Sequence, residues 1–306
     1  MQKQLPHKAY YLLFIVPVSL AFLSWMLFPP LAELAVITIF QYKIEPKQPH
    51  FVWSIITQAL YTWYTFLFIG ASGIIVVAAW ISTKKAEKER KKTEQEKRYP
   101  SISFIIPAYN EEKAIHRCIS SVFKSVSNYL GPSEIIVVDD GSNDYTYEIA
   151  WASVEINRRK NPNIRARVVR HSANLGKIEA IKTGVNKALG SLVAVVDADS
   201  WWMPDTLTTL VDYMLSNGKK AVTGYVHPSD GDSELNPYVV LQQLEYSQGL
   251  GVARCAQSLG DNVLVVSGAI GLYDADVLRE ILNGKTISSV TEDLEITLEM
   301  HKREAD

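Results

Sequence analysis

The sequence predicts an α/β domain with a mainly parallel sheet, preceded by N-terminal transmembrane helices. Three observations lead there. From Ser101 onward, short β-branched runs alternate with amphipathic stretches, the order that yields parallel strands covered by helices on both faces. Three of those runs end directly in clusters of polar residues, and a parallel sheet brings such ends to one edge. Ahead of them lie two long uncharged stretches, Tyr10–Phe28 and Phe51–Ser82, each long enough to cross a bilayer.

In the domain, Ile102–Ile106 reads as the first strand and Glu111–Val126 as an amphipathic helix. Glu134–Val138 is a second strand, Tyr145–Arg159 a helix, Arg165–Arg170 a third strand and Ile178–Leu189 a helix. The fourth strand, Leu192–Val196, is an unbroken apolar run of the kind buried on both faces. Pro204–Leu215 reads as a helix with proline near its first turn, where the missing N–H costs nothing. Lys220–Val226 is a further strand. Gln242–Arg254 reads as an amphipathic helix, either at a membrane interface or in the core. Leu294–Lys302 reads as a helix that follows the N-cap sequence Thr291-Glu292-Asp293.

The 306 residues divide into a membrane region (1–83, spans about 10–28 and 55–82), a basic juxtamembrane linker (84–99) and a domain from 100 to 306. Pro29-Pro30 ends or kinks the first span, and Leu31–Tyr42, which contains Glu33, extends it or lies at the interface. Tyr10–Phe28 is long for a signal-peptide core and lacks a small-x-small cleavage site. The basic run from Lys84 to Lys92, with Lys97-Arg98 after it, puts the domain in the cytoplasm by the positive-inside rule. Its interspersed glutamates and its place beside a span suit anionic lipid rather than nucleic acid. A net charge of −2 gives no global field for nucleic acid. Two distant cysteines, Cys118 and Cys255, form no zinc spacing and read as buried free thiols. No G-x-G-x-x-G or Walker A run occurs, which speaks against dinucleotide dehydrogenases and P-loop enzymes.

The chemistry gathers at three strand ends. The first strand runs into Pro107-Ala108-Tyr109-Asn110-Glu111, the second into Asp139-Asp140-Gly141-Ser142 and the fourth into Asp197-Ala198-Asp199. Two carboxylates one residue apart suit a hard divalent cation that also holds substrate phosphates. Each cluster also has a purely local reading: a β-turn at Asp140-Gly141, a helix cap at Asn110, a helix-dipole complement at Glu111. Their convergence on one edge favours a shared ligand site.

These residues resemble the family 2 glycosyltransferases with their GT-A nucleotide-sugar fold. More narrowly they are similar to the membrane-embedded processive branch, the hyaluronan, chitin, cellulose and poly-N-acetylglucosamine synthases. The elements carrying the resemblance are Pro107–Glu111, Val137–Ser142, Asn174–Lys177, Asp197–Asp199, Val266–Ala269 and Thr291–Asp293, in this order. The resemblance implies that Pro107, Ala108, Tyr109, Glu111 and Asp140 hold the nucleotide, with Asp139 as a contact or a loop support. It implies that Lys177 neutralises the diphosphate, although a solvated first-turn lysine is the plainer reading. It implies Mg²⁺ or Mn²⁺ held chiefly by Asp199, with Asp197 nearer the donor or the metal's waters. Asp293 is implied as the base for the acceptor hydroxyl in an inverting, single-step transfer from a UDP-sugar. Ser267, Gly268 and Glu292 are implied on the acceptor side. Glu292 orients the loop there, and Gly268 equally reads as a strand bulge. Trp201-Trp202 suits either sugar stacking or interface packing. His171 and His227 receive no role.

The processive branch carries a Gln-x-x-Arg-Trp motif and further membrane helices after Thr-Glu-Asp, and neither occurs in these residues. The domain is therefore expected to be C-terminally incomplete. Two spans are few for a polymer channel, so an oligomer or partner chain is expected to supply the rest. The expected acceptor is a saccharide or glycolipid at the membrane. Transfer of one sugar to a polyprenyl phosphate, and a non-catalytic partner of a fuller synthase, stand as alternatives.

Overall fold

The computed structural model describes residues 63, 69–85, 99–229, 236–284 and 291–304. They belong to two compact units divided between Val77 and Ala78. The expected span 10–28 lies outside the described residues, as do 55–62 and 64–68 of the second and most of the basic linker, while residues 69–85 are helical. No helix among the described residues is long and apolar enough to cross a membrane.

The second unit is built on six strands. In chain order they are β1 (Ile102–Ala108), β2 (Ser133–Asp139), β3 (Arg165–Arg170), β4 (Leu192–Val195), β5 (Ala221–Thr223) and β6 (Gly271–Asp274). The sheet order is β3-β2-β1-β4-β6-β5. β1 to β4 run parallel, while β6 runs antiparallel to both β4 and β5. The main helices are α1 (Ile115–Ser127), α2 (Thr146–Lys160), α3 (Lys177–Lys187), α4 (Thr206–Ser216), α5 (Pro237–Tyr246), α6 (Arg254–Gln257), α7 (Ala275–Gly284) and α8 (Glu292–Glu304). α1 shows why these segments are helical. Its buried residues Ile115, Cys118, Ile119, Val122, Phe123 and Val126 recur at three- and four-residue steps, forming one apolar stripe.

Two cores flank the sheet. One packs β1, β2 and β4 side chains against α1, α2 and α4, and contains Phe104, Val122, Val154 and Leu207. The other contains Ile105, Val138, Val185, Leu278 and Ile296 and joins α3, α7 and α8 to the opposite face. Trp202 belongs to the first core. It stands edge-on to Phe104 at 5.2 Å and donates from Nε1 to the Ala269 carbonyl at 3.1 Å. Its ring is therefore packed away from any sugar. Trp202→Ala is expected to cost about 3–5 kcal/mol in a denaturant melt, the cost of emptying a large core position.

The structure corrects several boundaries. Pro107 and Ala108, expected in a loop, are the last two residues of β1. Pairing with Val138 and Asp139 carries the strand that far, and both are buried. α1 starts at Ile115, because Glu111 to Ala114 form a turn in which the Ala114 and Ile115 amides donate to the Glu111 carbonyl. The helix expected over Gln242–Arg254 is instead α5, a π-helical stretch (Ser247–Ala253) and α6. β6 and α7 are additions to the elements the sequence predicts. Cys118 is buried, but Cys255 is only half-buried.

Register decides what meets at the functional edge. Ala108 lies beside Asp139, and Asp139 beside Arg170, so the carboxyl ends of β1, β2 and β3 are level. Gly271 opens β6 beside Val195, the last residue of β4. An antiparallel neighbour reverses polarity, so the turn that precedes β6 arrives at the same edge as Asp197–Asp199.

Candidate active site

The loops after β1 and β2 are stitched together. The Asn110 amide donates to Ser142 Oγ at 3.0 Å, and the Asn143 amide returns a bond to Asn110 Oδ1 at 2.9 Å. The Glu111 amide donates to Thr146 Oγ1 at 2.7 Å, and the Glu112 amide to Asp144 Oδ2 at 3.2 Å. Asn110 holds a left-handed φ of 55°, which asparagine tolerates better than most residues. This frame leaves Tyr109 on the surface, 40% exposed, and Glu111 half-buried.

Asp139 and Asp140 both point inward. Arg170 Nε lies 3.1 Å from Asp139 Oδ2 as a charge partner, although neither buried oxygen has an aligned hydrogen bond. Asp140 is 2% exposed, and both of its oxygens are hydrogen-bonded. Its Oδ1 accepts the Leu175 amide at 2.9 Å and faces His171 Nδ1 at 2.7 Å, while its Oδ2 accepts the Gly176 amide at 2.8 Å. His171 Nε2 in turn meets Thr183 Oγ1 at 3.0 Å. Asp140 and His171 thus support the loop that starts α3. The sequence offers no signal for His171, because its partners come from β2 and α3. Gly176 sits at φ 96° and ψ 155°, backbone that essentially only glycine adopts, and it turns the chain into Lys177.

Lys177 joins the two halves of the site. Its Nζ lies 2.8 Å from Asp197 Oδ1 and 2.7 Å from Glu292 Oε1. Burial disfavours its charge, but Asp197 and Glu292 outweigh burial and hold the ammonium above the usual lysine range. Lys177 is thus doubly ion-paired, while its side chain stays 42% exposed. Asp197 is raised above the ordinary aspartate value by burial, opposed by Lys177 and reinforced by Asp199 and Glu292. Glu111 is raised by burial, then by Asp199, Asp144 and Asp197. Asp199 itself is exposed, with Ser200 Oγ 3.3 Å from its Oδ1. Arg117 covers one face of the neighbouring Trp201 at 3.5 Å.

Gly268 lies in the turn closed by the Ile270 amide on the Ser267 carbonyl at 3.1 Å, so it is no strand bulge. A Cβ there would stand 3.2 Å from Lys177 Nζ and 3.5 Å from Asp197 Oδ1. The Ser267 amide is held by Thr223 Oγ1 at 3.2 Å. α8 is tied to the same segment, because Thr297 Oγ1 accepts the Val266 amide at 2.9 Å and donates to the Asp293 carbonyl at 2.7 Å. Asp293 Oδ1 accepts the Leu294 amide at 2.9 Å, which orients the half-buried carboxylate at the first turn of α8.

The edge therefore gathers Glu111, Asp197, Asp199, Glu292 and Asp293, and Lys177 bridges Asp197 and Glu292. Among the described residues no group of three or more His, Cys, Asp or Glu is arranged to hold a metal by itself. The two triplet carboxylates still fit a hard cation that shares its shell with a ligand. Asp197 Oδ1 is sealed from solvent with Lys177 Nζ at 2.8 Å as its charge partner, and a cation would relieve the repulsion from Asp199 that adds to burial in raising both Asp197 and Glu111.

A mainly parallel mixed sheet with a lysine-bridged carboxylate cluster at its carboxyl edge is the GT-A-like arrangement that the sequence predicts. The chain belongs to glycosyl transferase family 2, whose description matches residues 103–282. It is 29% identical over 201 residues to poly-beta-1,6-N-acetyl-D-glucosamine synthase of Staphylococcus epidermidis, covering 65% of this chain and 45% of that protein. Over 178 residues it is 30% identical to hyaluronan synthase of Streptococcus pyogenes, covering 58% of this chain and 41% of that one. The chain thus spans less than half the length of these curated relatives. Among solved structures it is similar to the mannosyltransferase PcManGT from Pyrobaculum calidifontis in complex with GDP-Man and Mn²⁺, at 20% identity and a TM-score of 0.49. That likeness covers 73% of this chain and 62% of that one.

Proposed function

We propose that this glycosyltransferase is inverting and metal-dependent, and that it uses a UDP-sugar, UDP-GlcNAc or UDP-glucose, to extend a β-linked polysaccharide. We place it at the cytoplasmic face of the cell membrane, anchored by the uncharged N-terminal stretches. The observation that carries the reading is the Lys177 bridge, which joins Asp197 on the donor side to Glu292, the neighbour of Asp293. The kinship with two polysaccharide synthases supports a polymer product.

Asp293 uses one oxygen to accept the Leu294 amide, which leaves Oδ2 for the acceptor. Its carboxylate takes the proton of the acceptor hydroxyl as that oxygen attacks the anomeric carbon. The bond from that carbon to the diphosphate breaks, its electron pair leaves with UDP, and the configuration inverts. Lys177 holds positive charge beside the departing diphosphate. When bound at Asp199 and Asp197, Mg²⁺ or Mn²⁺ supplies Lewis-acid neutralisation of the same group. Tyr109 and Glu111 line the nucleotide end, and the loop held by Asp140 carries Lys177 to the phosphates. Ser267 and Gly268 leave room for the acceptor sugar against Lys177.

The test is UDP release by the full chain in membranes, with Mn²⁺ and a panel of UDP-sugars, together with product sizing. A long polymer is the expected result. A single-sugar lipid would point to polyprenyl phosphate, and UDP binding without release under any donor would overturn the enzymatic reading.

A further inference from the structure

The π-helical stretch Ser247–Ala253 delivers the chain directly to Arg254. Such stretches are rare, give up regular backbone hydrogen bonding, and concentrate at functional sites, where they re-aim the side chains of the next turn. Arg254 Nη1 is sealed from solvent and has no hydrogen-bond partner among the described residues. Arg254 as a whole is half-buried, but a buried guanidinium N–H left unpaired is costly, and such groups in native structures call for an explanation.

Its surroundings suggest one. The charges it feels are those of Asp293 and Tyr273. Tyr273 offers no counter-ion, because burial keeps its hydroxyl neutral while that hydroxyl donates to the Val266 carbonyl at 3.2 Å. Asp293 attracts Arg254 without forming an ion pair with it among the described residues, and its Oδ1 already holds the Leu294 amide. Arg254 and Asp293 are thus within electrostatic reach of one another without a direct ion pair among the described residues. An oxygen set between them would accept from one and donate to the other. Nearby, three carboxylates (Asp197, Glu292 and Asp293) face two cations (Lys177 and Arg254), so this side keeps a net negative charge and suits a neutral sugar better than an anionic acceptor.

We propose that Arg254 binds the acceptor, donating to a hydroxyl or carbonyl oxygen of the terminal saccharide beside the hydroxyl that Asp293 deprotonates. This rests on the reading of Asp293 as the base. The full chain in membranes would be assayed with UDP-GlcNAc, Mn²⁺ and short β-linked N-acetylglucosamine oligosaccharides as acceptor probe. Arg254→Gln is expected to raise the oligosaccharide KM about tenfold, the loss of one charge-assisted hydrogen bond, with a smaller change in kcat and unchanged UDP affinity. An unchanged KM, or UDP affinity and thermal stability falling together with transfer, would overturn the proposal. If Arg254→Gln does not fold, Arg254→Lys decides. It keeps the charge but not the fork, so KM should rise several-fold, and an unchanged KM overturns the proposal. Normal transfer by Asp293→Asn would strike the base assignment instead. Stimulation by polyprenyl phosphate but not by oligosaccharides would overturn the neutral-sugar assignment.

Discussion

Asp293→Asn is expected to bind UDP as the wild type does and to transfer sugar roughly 10²–10⁴-fold more slowly, the usual contribution of a positioned base. The substitution is close to isosteric. Asparagine's Oδ1 can still accept the Leu294 amide that orients Asp293 at 2.9 Å, so the helix start is preserved. What is lost is the second oxygen, which becomes an amide nitrogen that cannot take a proton. The tie from Thr297 to the Asp293 carbonyl is backbone-directed and survives as well. Calorimetric UDP titration beside initial rates of UDP release separates the two effects. Wild-type transfer by this variant would remove Asp293 from the chemistry.

Lys177→Met should fail differently, through donor binding and transfer together. The ammonium is shared by Asp197 and Glu292 at 2.8 and 2.7 Å. Without it, Asp197, which burial and then Asp199 and Glu292 already raise, faces those carboxylates with no cation between them. The donor diphosphate loses a charge-assisted contact, worth roughly tenfold or more in UDP affinity. Glu292 loses its tether, so the base beside it is less well placed and kcat should fall too. UDP affinity measured with Mn²⁺, together with kcat, tests this. If both stay at wild-type values, Lys177 is only a surface lysine.

Much of the donor side is legible in the sequence because it depends on local signals. An apolar strand that runs straight into Asp197-Ala198-Asp199 states both its burial and its chemistry. Lys177 is legible because Asn174-Leu175-Gly176 marks a turn ahead of a helix. The acceptor side is less so. The turn holding Gly268 reaches the edge only because β6 runs against β4, and a short strand such as Gly271–Asp274 leaves little periodicity to read. Sequence alone suits Gly268 to a pocket or a bulge, and the turn beside Lys177 decides against the bulge. The family resemblance implies a direct nucleotide contact for Asp140, while its bonds to His171 and to the Leu175 and Gly176 amides, which give it a part in holding the loop as well, come from distant positions that the sequence does not reveal. Arg254 carries no signal of its own, since an arginine inside an amphipathic run looks like its solvated face. Trp202 is ambiguous because an aromatic ring suits a sugar or a core equally, and only Phe104 and the Ala269 carbonyl decide for the core.

The most direct measurement is the anomeric configuration of the newly made linkage, read by proton NMR on product from an α-linked UDP-sugar with Mn²⁺. Attack by an acceptor hydroxyl deprotonated at Asp293 gives a β-linkage. An α-linked product would contradict a single displacement and the role given to Asp293.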